Sequence, residues 1–559
     1  MENRSEVERM RRGEMTRRRF LYGAAGLGLA ATAFGPLDFL LSGCGSGQQY
    51  GTGQAGGSPR AGGTLRIAIG ADANGLDPES VLNNNAGYVM SAIYDGLTSY
   101  KPGTTEVAPG LAESWDVSPD ATTYTFHLRK GVRFHDGSPF DADAVIAWLD
   151  RLLNKQNPHY YGNQQGIDSF VDFTFSGIRA YTKVDAATVR LELKAPDATL
   201  LTNLAMVWSG VTSPAAVDRY GYGLQQHPVG TGPFSFVEWI PNDHITLKAN
   251  PDYWGGKPHL EQIVYQVVPD PSTALLKLRN GEVDVLTDVS PEQVKVIAQD
   301  PNLQLLTQPG LVVLGVALPV DHKPFDDRRV RQALNYAVDK ESLNKYLFAN
   351  LAPPMRAPLP TVEWGTSTSL SPYPQDIAKA KQLLREAGYG DGLNLTLWIY
   401  NTTRGYNPAG GARLGTALQA DFQKAGVNVT LQQLEWTAYL AKVRDRGLSD
   451  MALTGWSGDN GDPDDFLSPL YGTSGIPAGN QAHYSNPAVD RVLDQARGIA
   501  DQSKRTALYQ QVQKTIWDDA PWVWLNSVKQ VRAASKKVRG LLLNPTEMYF
   551  GMHRVWLST

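Results

Sequence analysis

The sequence of 559 residues contains a single cysteine, Cys44. One thiol cannot form a disulfide within the chain, and its isolation excludes cysteine-rich zinc sites and iron–sulfur clusters. An excess of positive charge is also lacking, because 52 basic and 56 acidic residues give a formal net charge of −4. This balance argues against a nucleic-acid-binding protein, which would carry a basic patch or stripe.

The short motifs of common enzyme and nucleotide sites are also lacking. There is no G-x-S-x-G, since Gly455-Trp456-Ser457-Gly458 is one residue off. A formal G-x-G-x-x-G at residues 51–56 has no strand before it and no helix after it. His127 and His135 have no partner at a metal-binding spacing. We therefore expect no enzyme, no bound cofactor and no metal site.

The first 43 residues have the pattern of an export signal. Residues 1–20 carry seven Arg and four Glu, and an apolar stretch follows at residues 20–41. Arg17 and Arg18 lie in Thr16-Arg17-Arg18-Arg19-Phe20-Leu21, which resembles the twin-arginine export motif. We expect export by that route, with the general secretory route as the alternative. A transmembrane anchor is the other alternative, because the apolar stretch is about long enough to span a bilayer.

Cys44 ends the apolar stretch in Leu41-Ser42-Gly43-Cys44, which resembles a bacterial lipobox. The resemblance implies cleavage before Cys44 and diacylation of its thiol, and two acyl chains give stable membrane anchoring. Residues 44–61 are rich in Gly, Ser and Gln and predict a flexible tether. The mature chain would carry a net charge of −6 and lie outside the cytoplasm, in the periplasm or on the cell surface.

The body of the chain alternates strand and helix patterns, which predicts an α/β fold. Apolar residues at helical spacing predict helices that begin after Asp141, begin after Asp327, and run from Ile377 to a stop at Gly388. Apolar residues at every second position predict strands at residues 65–69, 124–128, 189–193, 395–399 and 427–431.

Several sequence blocks follow one another in a fixed order through this body. They resemble the signature of the peptide/nickel/opine solute-binding proteins that serve ABC transporters (solute-binding protein family 5), and are closest to the dipeptide-binding branch. The blocks are residues 111–120, residues 124–137, Gly230-Thr231-Gly232-Pro233-Phe234, Asn250-Pro251-Asp252-Tyr253-Trp254, residues 279–284 and residues 325–334.

The resemblance implies a two-lobed periplasmic-binding-protein clamp of type II, in its large cluster C form, with an extra subdomain in the first lobe. Such clamps close around a ligand by hinge motion. The implied boundaries are lobe I at 62–308 and 527–559 with a subdomain inserted near 102–213, lobe II at 309–526, and hinge strands near 309–313 and 522–526.

The resemblance also implies a ligand site in the second lobe. By analogy with the dipeptide-binding branch, Arg404 would bind a ligand α-carboxylate and Asp459 an α-ammonium. A guanidinium fork matches a carboxylate, and an unpaired buried charge on either partner would be unfavourable. The alternative is that Arg404 is a surface residue and Asp459 a turn residue. The branch usually has Pro where Gly405 stands, which weakens the expectation for Arg404 most.

Three aromatic residues complete the predicted site: Tyr406, Trp436 and Trp456. The tryptophans would line or flank the pocket, and a place in the core is the alternative. The acidic run at residues 459–465 would be a calcium site if it followed the usual ligand order, which it does not.

The expected function is capture of short peptides, dipeptides above all, and their delivery to an ABC permease with its ATPases. Alternatives are another solute in the same clamp (a nickel chelate, haem, an opine or an oligosaccharide) and a surface sensor or chaperone without transport. The expected partners are the peptide, the permease and the membrane through the lipid on Cys44, with no nucleic acid, and the expected state is a monomer.

Overall fold

The computed structural model describes residues 58–81, 83–163 and 171–559. The predicted export signal with Arg17 and Arg18, the lipidation site Cys44 and most of the tether lie outside the described residues. Within the described part, no helix has both the length and the apolar composition needed to cross a bilayer.

The described chain contains strands and helices of mixed order. The strands are β1 (Thr64–Ile69), β2 (Thr98–Tyr100), β3 (Val107–Pro109), β4 (Ala112–Val117), β5 (Thr123–Leu128), β6 (Ile178–Asp185), β7 (Thr188–Leu193), β8 (Phe234–Ile240), β9 (His244–Ala249), β10 (Gln262–Val267), β11 (Val285–Leu286), β12 (Leu303–Pro309), β13 (Val312–Ala317), β14 (Leu393–Tyr400), β15 (Val427–Leu434), β16 (Met451–Ser457), β17 (Trp522–Trp524), β18 (Lys529–Ser535), β19 (Val538–Arg539) and β20 (Trp556–Leu557). The helices are α1 (Asn84–Ile93), α2 (Ala142–Leu153), α3 (Val171–Phe175), α4 (Leu200–Asn203), α5 (Pro214–Tyr220), α6 (Pro271–Asn280), α7 (Pro291–Gln299), α8 (Arg328–Ala337), α9 (Lys340–Leu347), α10 (Ile377–Glu386), α11 (Gly411–Lys424), α12 (Trp436–Val443), α13 (Asp464–Tyr471), α14 (Pro487–Arg497) and α15 (Gln502–Asp519).

The local predictions for these elements are confirmed. The five predicted strands lie within β1, β5, β7, β14 and β15. Asp141 accepts a hydrogen bond from the Ala144 N–H and caps α2, and Asp327 caps α8 through the Arg329 N–H. Helix α10 ends just before Gly388, whose φ of +89° turns the chain away. Alternating apolar residues and capping side chains therefore determine these elements locally.

One lobe is organised by a seven-stranded sheet of order β12-β18-β11-β1-β10-β9-β8. Strand β1, near the start of the described chain, pairs in parallel with β10 and β11, and β18, near its end, pairs antiparallel with β11 and β12. Strands from both ends of the body therefore share one sheet. Apolar residues of β1, β10 and α1 form the main core of this lobe.

The other lobe is organised by a five-stranded sheet of order β15-β14-β16-β13-β17. Its core includes buried apolar residues of β13, β14, α8, α10 and α11. The chain passes from β12 in the first sheet to β13 in the second through residues 310–311, and returns from β17 to β18 through residues 525–528. These two large sheets form the lobes of an α/β clamp. The predicted domain and hinge boundaries stay predictions.

A third core lies under a four-stranded sheet of order β4-β5-β7-β6. Helix α2 packs on this sheet, and its Trp148 meets Phe175 edge to face with ring centroids 5.3 Å apart. This sheet is the extra subdomain of the first lobe.

A buried charge cluster ties α2 to the loop that follows β1. Arg151 donates to both Asp77 and Glu79, with 2.5 Å between its Nη2 and Asp77 Oδ2. The side chains of Arg151, Asp77 and Glu79 are 1%, 0% and 1% exposed. Burial raises the pKa of Glu79 to about 8, while Arg151 opposes that rise. Removing one partner from such a cluster costs about 3–5 kcal/mol, because a buried charge is left uncompensated.

Candidate ligand-binding cleft

The predicted polar residues follow two neighbouring strands of the second lobe. Strands β14 and β16 run parallel, with Leu397 opposite Met451 and Trp398 opposite Ala452. Their carboxyl ends therefore reach the same edge of the sheet. Arg404 lies in the loop after β14 and Asp459 in the loop after β16. Ligands of open α/β sheets bind outside the carboxyl ends of strands, and the structure places both residues at such an edge.

The loop after β14 holds Arg404 in a tight turn. The Arg404 N–H donates to the Asn407 carbonyl at 3.1 Å, and the Asn407 N–H donates back to the Arg404 carbonyl at 2.8 Å. Asn407 is fully buried, and its Nδ2 donates to the Tyr400 hydroxyl at 3.1 Å. The turn is therefore anchored to the end of β14 by a buried amide, which fixes the direction in which Arg404 leaves the sheet.

The Arg404 guanidinium lies over the face of Trp436, with 3.9 Å from Cζ to the ring centroid. Trp436 is the first residue of α12 and stacks on Tyr439 at 5.8 Å. Cation–π contact of this kind orients a guanidinium without neutralising its charge. Arg404 also lies beside the Tyr406 hydroxyl, so three of the predicted residues come together. Burial raises the pKa of Tyr406, and the nearby positive charge of Arg404 reduces that rise.

Tyr406 packs against strand β16 at Gly455. A Cβ on Gly455 would lie 2.3 Å from Tyr406 Cδ2, so only a glycine leaves room for the ring. The next residue along the strand is Trp456, which is partly buried against the core of the second lobe. Trp456 thus lies in the strand against which Tyr406 packs, and its side chain contacts the core of the second lobe.

The Asp459 carboxyl group has no cation partner among the described residues. Its backbone N–H donates to Asp465 Oδ2 at 2.8 Å, and no described residue donates a hydrogen bond to its own carboxylate. Burial raises the pKa of Asp459 well above its usual value, and the charges of Asp465 and Glu547 raise it further. Burial likewise raises the pKa of Asp465 to about 7. A cation placed at Asp459 would relieve this repulsion.

Other carboxylates of the acidic run have structural partners. Asp462 accepts from Arg505 Nη2 at 2.7 Å, and Asp464 accepts from Arg497 Nε at 3.1 Å. Arg505 lies in α15 and Arg497 at the end of α14. These two ion pairs therefore hold both helices against the acidic run, and Asp462 and Asp464 already have cation partners. Among the described residues, Asp459 and Asp465 therefore are the acids of this run without an arginine partner, and Asp459 is the one that also senses Glu547 of the first lobe.

The first lobe adds charged groups that the sequence did not reveal. Glu547 lies across the cleft, and its Oε1 would be 3.4 Å from a Cβ placed on Gly405. It adopts a left-handed backbone with φ of +72°, uncommon for a residue with a side chain. Asn84 Nδ2 donates to it at 3.1 Å, and the buried Arg532 offsets the burial that raises its pKa. No motif surrounds Glu547, so only the tertiary structure identifies it.

The two lobes touch across the cleft near Asp459. The Tyr100 hydroxyl of the first lobe donates to the Asn460 carbonyl at 3.0 Å, and Asn460 Nδ2 donates to Asn203 Oδ1 at 2.6 Å. Beside these contacts lies an interlobe cavity of about 850 Å³, whose lining includes Leu306, Leu541, Trp364 and Arg505. None of the five predicted ligand-binding residues lines this cavity.

Two lobes joined by two chain crossings, with Arg404 and Asp459 at one edge of the second-lobe sheet, have the architecture of a solute-binding clamp. The family model described as "Bacterial extracellular solute-binding proteins, family 5 Middle" matches residues 106–478. The chain belongs to this family, which confirms the resemblance found in the sequence. Its proteins act outside the cytoplasm as the solute-binding components of transporters.

Individual relatives cover most of the chain. Heme-binding protein A of Haemophilus influenzae is 35% identical over 484 residues, which are 84% of this chain and 88% of that protein. The dipeptide-binding protein of Escherichia coli is 34% identical over 486 residues, 84% of this chain and 90% of that protein. The solved structure of the ABC transporter-associated periplasmic binding protein DppA from Helicobacter pylori, in complex with peptide STSA, is 34% identical. It superposes with a TM-score of 0.75 and covers 90% of this chain and 99% of its own.

Proposed function

We propose that this protein captures short peptides, dipeptides above all, by closing its lobes around them, and delivers them to an ABC permease. The observation that carries the proposal is the pair of opposite charges, Arg404 and Asp459, at the ends of two adjacent parallel strands. A dipeptide is a zwitterion whose charged ends lie about 7 Å apart when it is extended. Each end would meet its complement in the cleft.

Arg404 suits the carboxylate because its guanidinium is oriented by Trp436 and keeps its charge. Asp459 suits the ammonium because no described cation neutralises it, and because Glu547 adds negative potential nearby. Peptides that lack either charge would leave a buried charge unpaired, and the site would reject them. The relatives that bind dipeptides support this ligand class.

Isothermal titration calorimetry of the full-length chain with dipeptides, tripeptides and their C-terminally amidated forms tests the proposal. Arg404→Ala should weaken binding of free-acid peptides by about 2–5 kcal/mol and leave the amidated forms nearly unchanged. Arg385→Ala, an exposed arginine on α10, is the matched control and should change neither. Equal losses for both peptide forms would contradict the carboxylate role, and binding of another solute but no peptide would overturn the proposal.

A larger apolar solute such as haem is the second candidate. The relative named Heme-binding protein A and the interlobe cavity of about 850 Å³ favour it. A haem titration followed by absorbance distinguishes the two, because only a haem-binding clamp would shift the haem spectrum at equimolar protein. Competition between haem and a dipeptide would show whether they share the cleft.

We further propose that the protein is exported through its twin-arginine motif, held at the membrane by lipid on Cys44, and active as a monomer without enzymatic turnover. Palmitate labelling in cells should mark the wild type and not Cys44→Ser. Replacing both Arg17 and Arg18 by Lys should leave unprocessed protein inside the cell, whereas unchanged export would favour the general secretory route.

A further inference from the structure

A cluster of two histidines and one aspartate lies in the second lobe, on segments other than those that carry Arg404 and Asp459. Asp321 Oδ1 lies 2.9 Å from His322 Nδ1 and 2.9 Å from His483 Nδ1. One ligand atom from each of these three residues falls within 4.8 Å of the others. The cluster therefore converges on one small volume, as metal ligands do.

The backbone holds the two halves of this cluster in register. Asp321 and His322 follow β13, and His483 lies in the loop between α13 and α14. The Val320 N–H donates to the Ala482 carbonyl at 2.8 Å, directly beside the cluster. His483 has a left-handed backbone with φ of +52°, a conformation that few residues other than glycine adopt. The backbone hydrogen bond between Val320 and Ala482 therefore holds the segments that carry Asp321 and His483 side by side.

One residue of the cluster is buried and two are partly exposed, as in a metal site that keeps one position open to water. The His483 side chain is 0% exposed, whereas Asp321 is 36% and His322 35% exposed. An ion could enter from the side of Asp321 and His322 and keep water as a remaining ligand. The buried His483 would supply the rigid wall of the site.

We propose that Asp321, His322 and His483 bind a divalent transition-metal ion of the Zn²⁺ type. Imidazole nitrogen and carboxylate oxygen are ligands that Zn²⁺ takes at about 2.0–2.2 Å, and three protein ligands with one water are an established arrangement. Ligand atoms around a tetrahedral ion lie about 3.3 Å apart, so the two contacts of the cluster need to open by only a few tenths of an ångström. No sequence motif marks this site, because Asp321 and His483 are 162 residues apart along the chain.

Arg446 is the group that competes with the ion. Its Nη2 lies 3.9 Å from Asp321 Oδ2, and its side chain is 62% exposed and free to move toward solvent. A bound cation would displace this weak contact. Removing Arg446 should therefore tighten metal binding, which a purely structural His–Asp cluster does not predict.

Competition with a chromophoric zinc chelator tests the proposal on the untagged full-length chain carrying Cys44→Ser, so that the single thiol takes no part. We expect one Zn²⁺ per chain, a loss of at least tenfold in affinity for His322→Ala and Asp321→Asn, and a gain for Arg446→Ala. The control is His244→Ala, since His244 contacts its two acids through opposite ring nitrogens, at 3.1 and 3.5 Å. Its acids cannot converge with the ring on one ion, and affinity should not change.

His483→Gln extends the test to the buried ligand, with circular dichroism to check folding. If that variant does not fold, the exposed His322 decides the outcome. Absence of a bound Zn²⁺ at micromolar concentration would overturn the proposal, and so would equal binding by the wild type and His322→Ala.

Discussion

Replacing Asp459 by Asn is the most direct test of the proposed ligand-binding site. Asn has nearly the same shape as Asp and can still accept a hydrogen bond, so Asp459→Asn removes the charge and little else. This partly buried carboxyl group lies near Asp465 and Glu547, and desolvation together with these two charges raises its pKa. Neutralising it should relieve repulsion, and the melting temperature without peptide should therefore stay the same or rise.

The magnitude of the expected loss follows from Coulomb's law for an ion pair in contact. Two unit charges 4 Å apart attract by about 4 kcal/mol at an effective dielectric constant of about 20. Part of this remains as a neutral hydrogen bond to Asn, so a loss of about 2–4 kcal/mol is expected, or about 30- to 700-fold in Kd. An N-acetylated peptide carries no ammonium, and its affinity should differ by less than about threefold between wild type and variant.

Calorimetry of the wild type and Asp459→Asn, each with the free and the N-acetylated peptide, completes a double-mutant cycle. A coupling energy of at least about 2 kcal/mol between Asp459 and the peptide ammonium is the expected result. Equal loss of the free and acetylated peptides would refute the reasoning, because the variant would then act through the shape of the cleft. A lower melting temperature without ligand would refute the argument from unbalanced burial.

Three further predictions concern stability and closure. Arg151→Leu removes the cation that contacts the buried Asp77 and Glu79 and should cost about 3–5 kcal/mol of unfolding free energy, measured by chemical denaturation. Gly461→Ala would bring its Cβ to 2.4 Å from Thr105 of the other lobe, so it should weaken ligand binding and enlarge the radius of gyration with peptide present. Gly281→Ala is the control. Gly281 has a similar φ of +75°, but an added Cβ would meet no atom within 4 Å, so this variant carries the backbone strain without the clash and should bind ligand normally. Burial and Arg554 lower the pKa of His553 to about 4, below its usual 6.5. Between pH 6.5 and about pH 4 the histidine binds a proton in the unfolded chain but not in the folded one, so the free energy of unfolding falls as the pH drops through this range. His553→Phe should therefore reduce the fall in melting temperature between about pH 7 and pH 4.5.

The sequence determined the local elements of this protein. Alternating apolar residues placed β1, β5, β7, β14 and β15, because a strand with one buried face shows its period directly in the chain. Asp141 and Asp327 marked the starts of two helices, because their side chains satisfy backbone N–H groups a few residues away. Ordered motifs identified the family, which the comparisons confirm. These features depend on neighbours within a few residues or on long motifs that occur in a fixed order.

Only the tertiary structure decided which distant groups meet. The parallel pairing of β14 with β16 brings the loops of Arg404 and Asp459 to one edge, and pairing of strands far apart in sequence leaves no local signal. Glu547 enters the cleft from the other lobe, from a loop without a motif. Asp321 meets His483 across 162 positions of sequence. The physical reason is the same in each case: electrostatics and coordination depend on distances in space, and the fold sets these distances through backbone pairing and core packing.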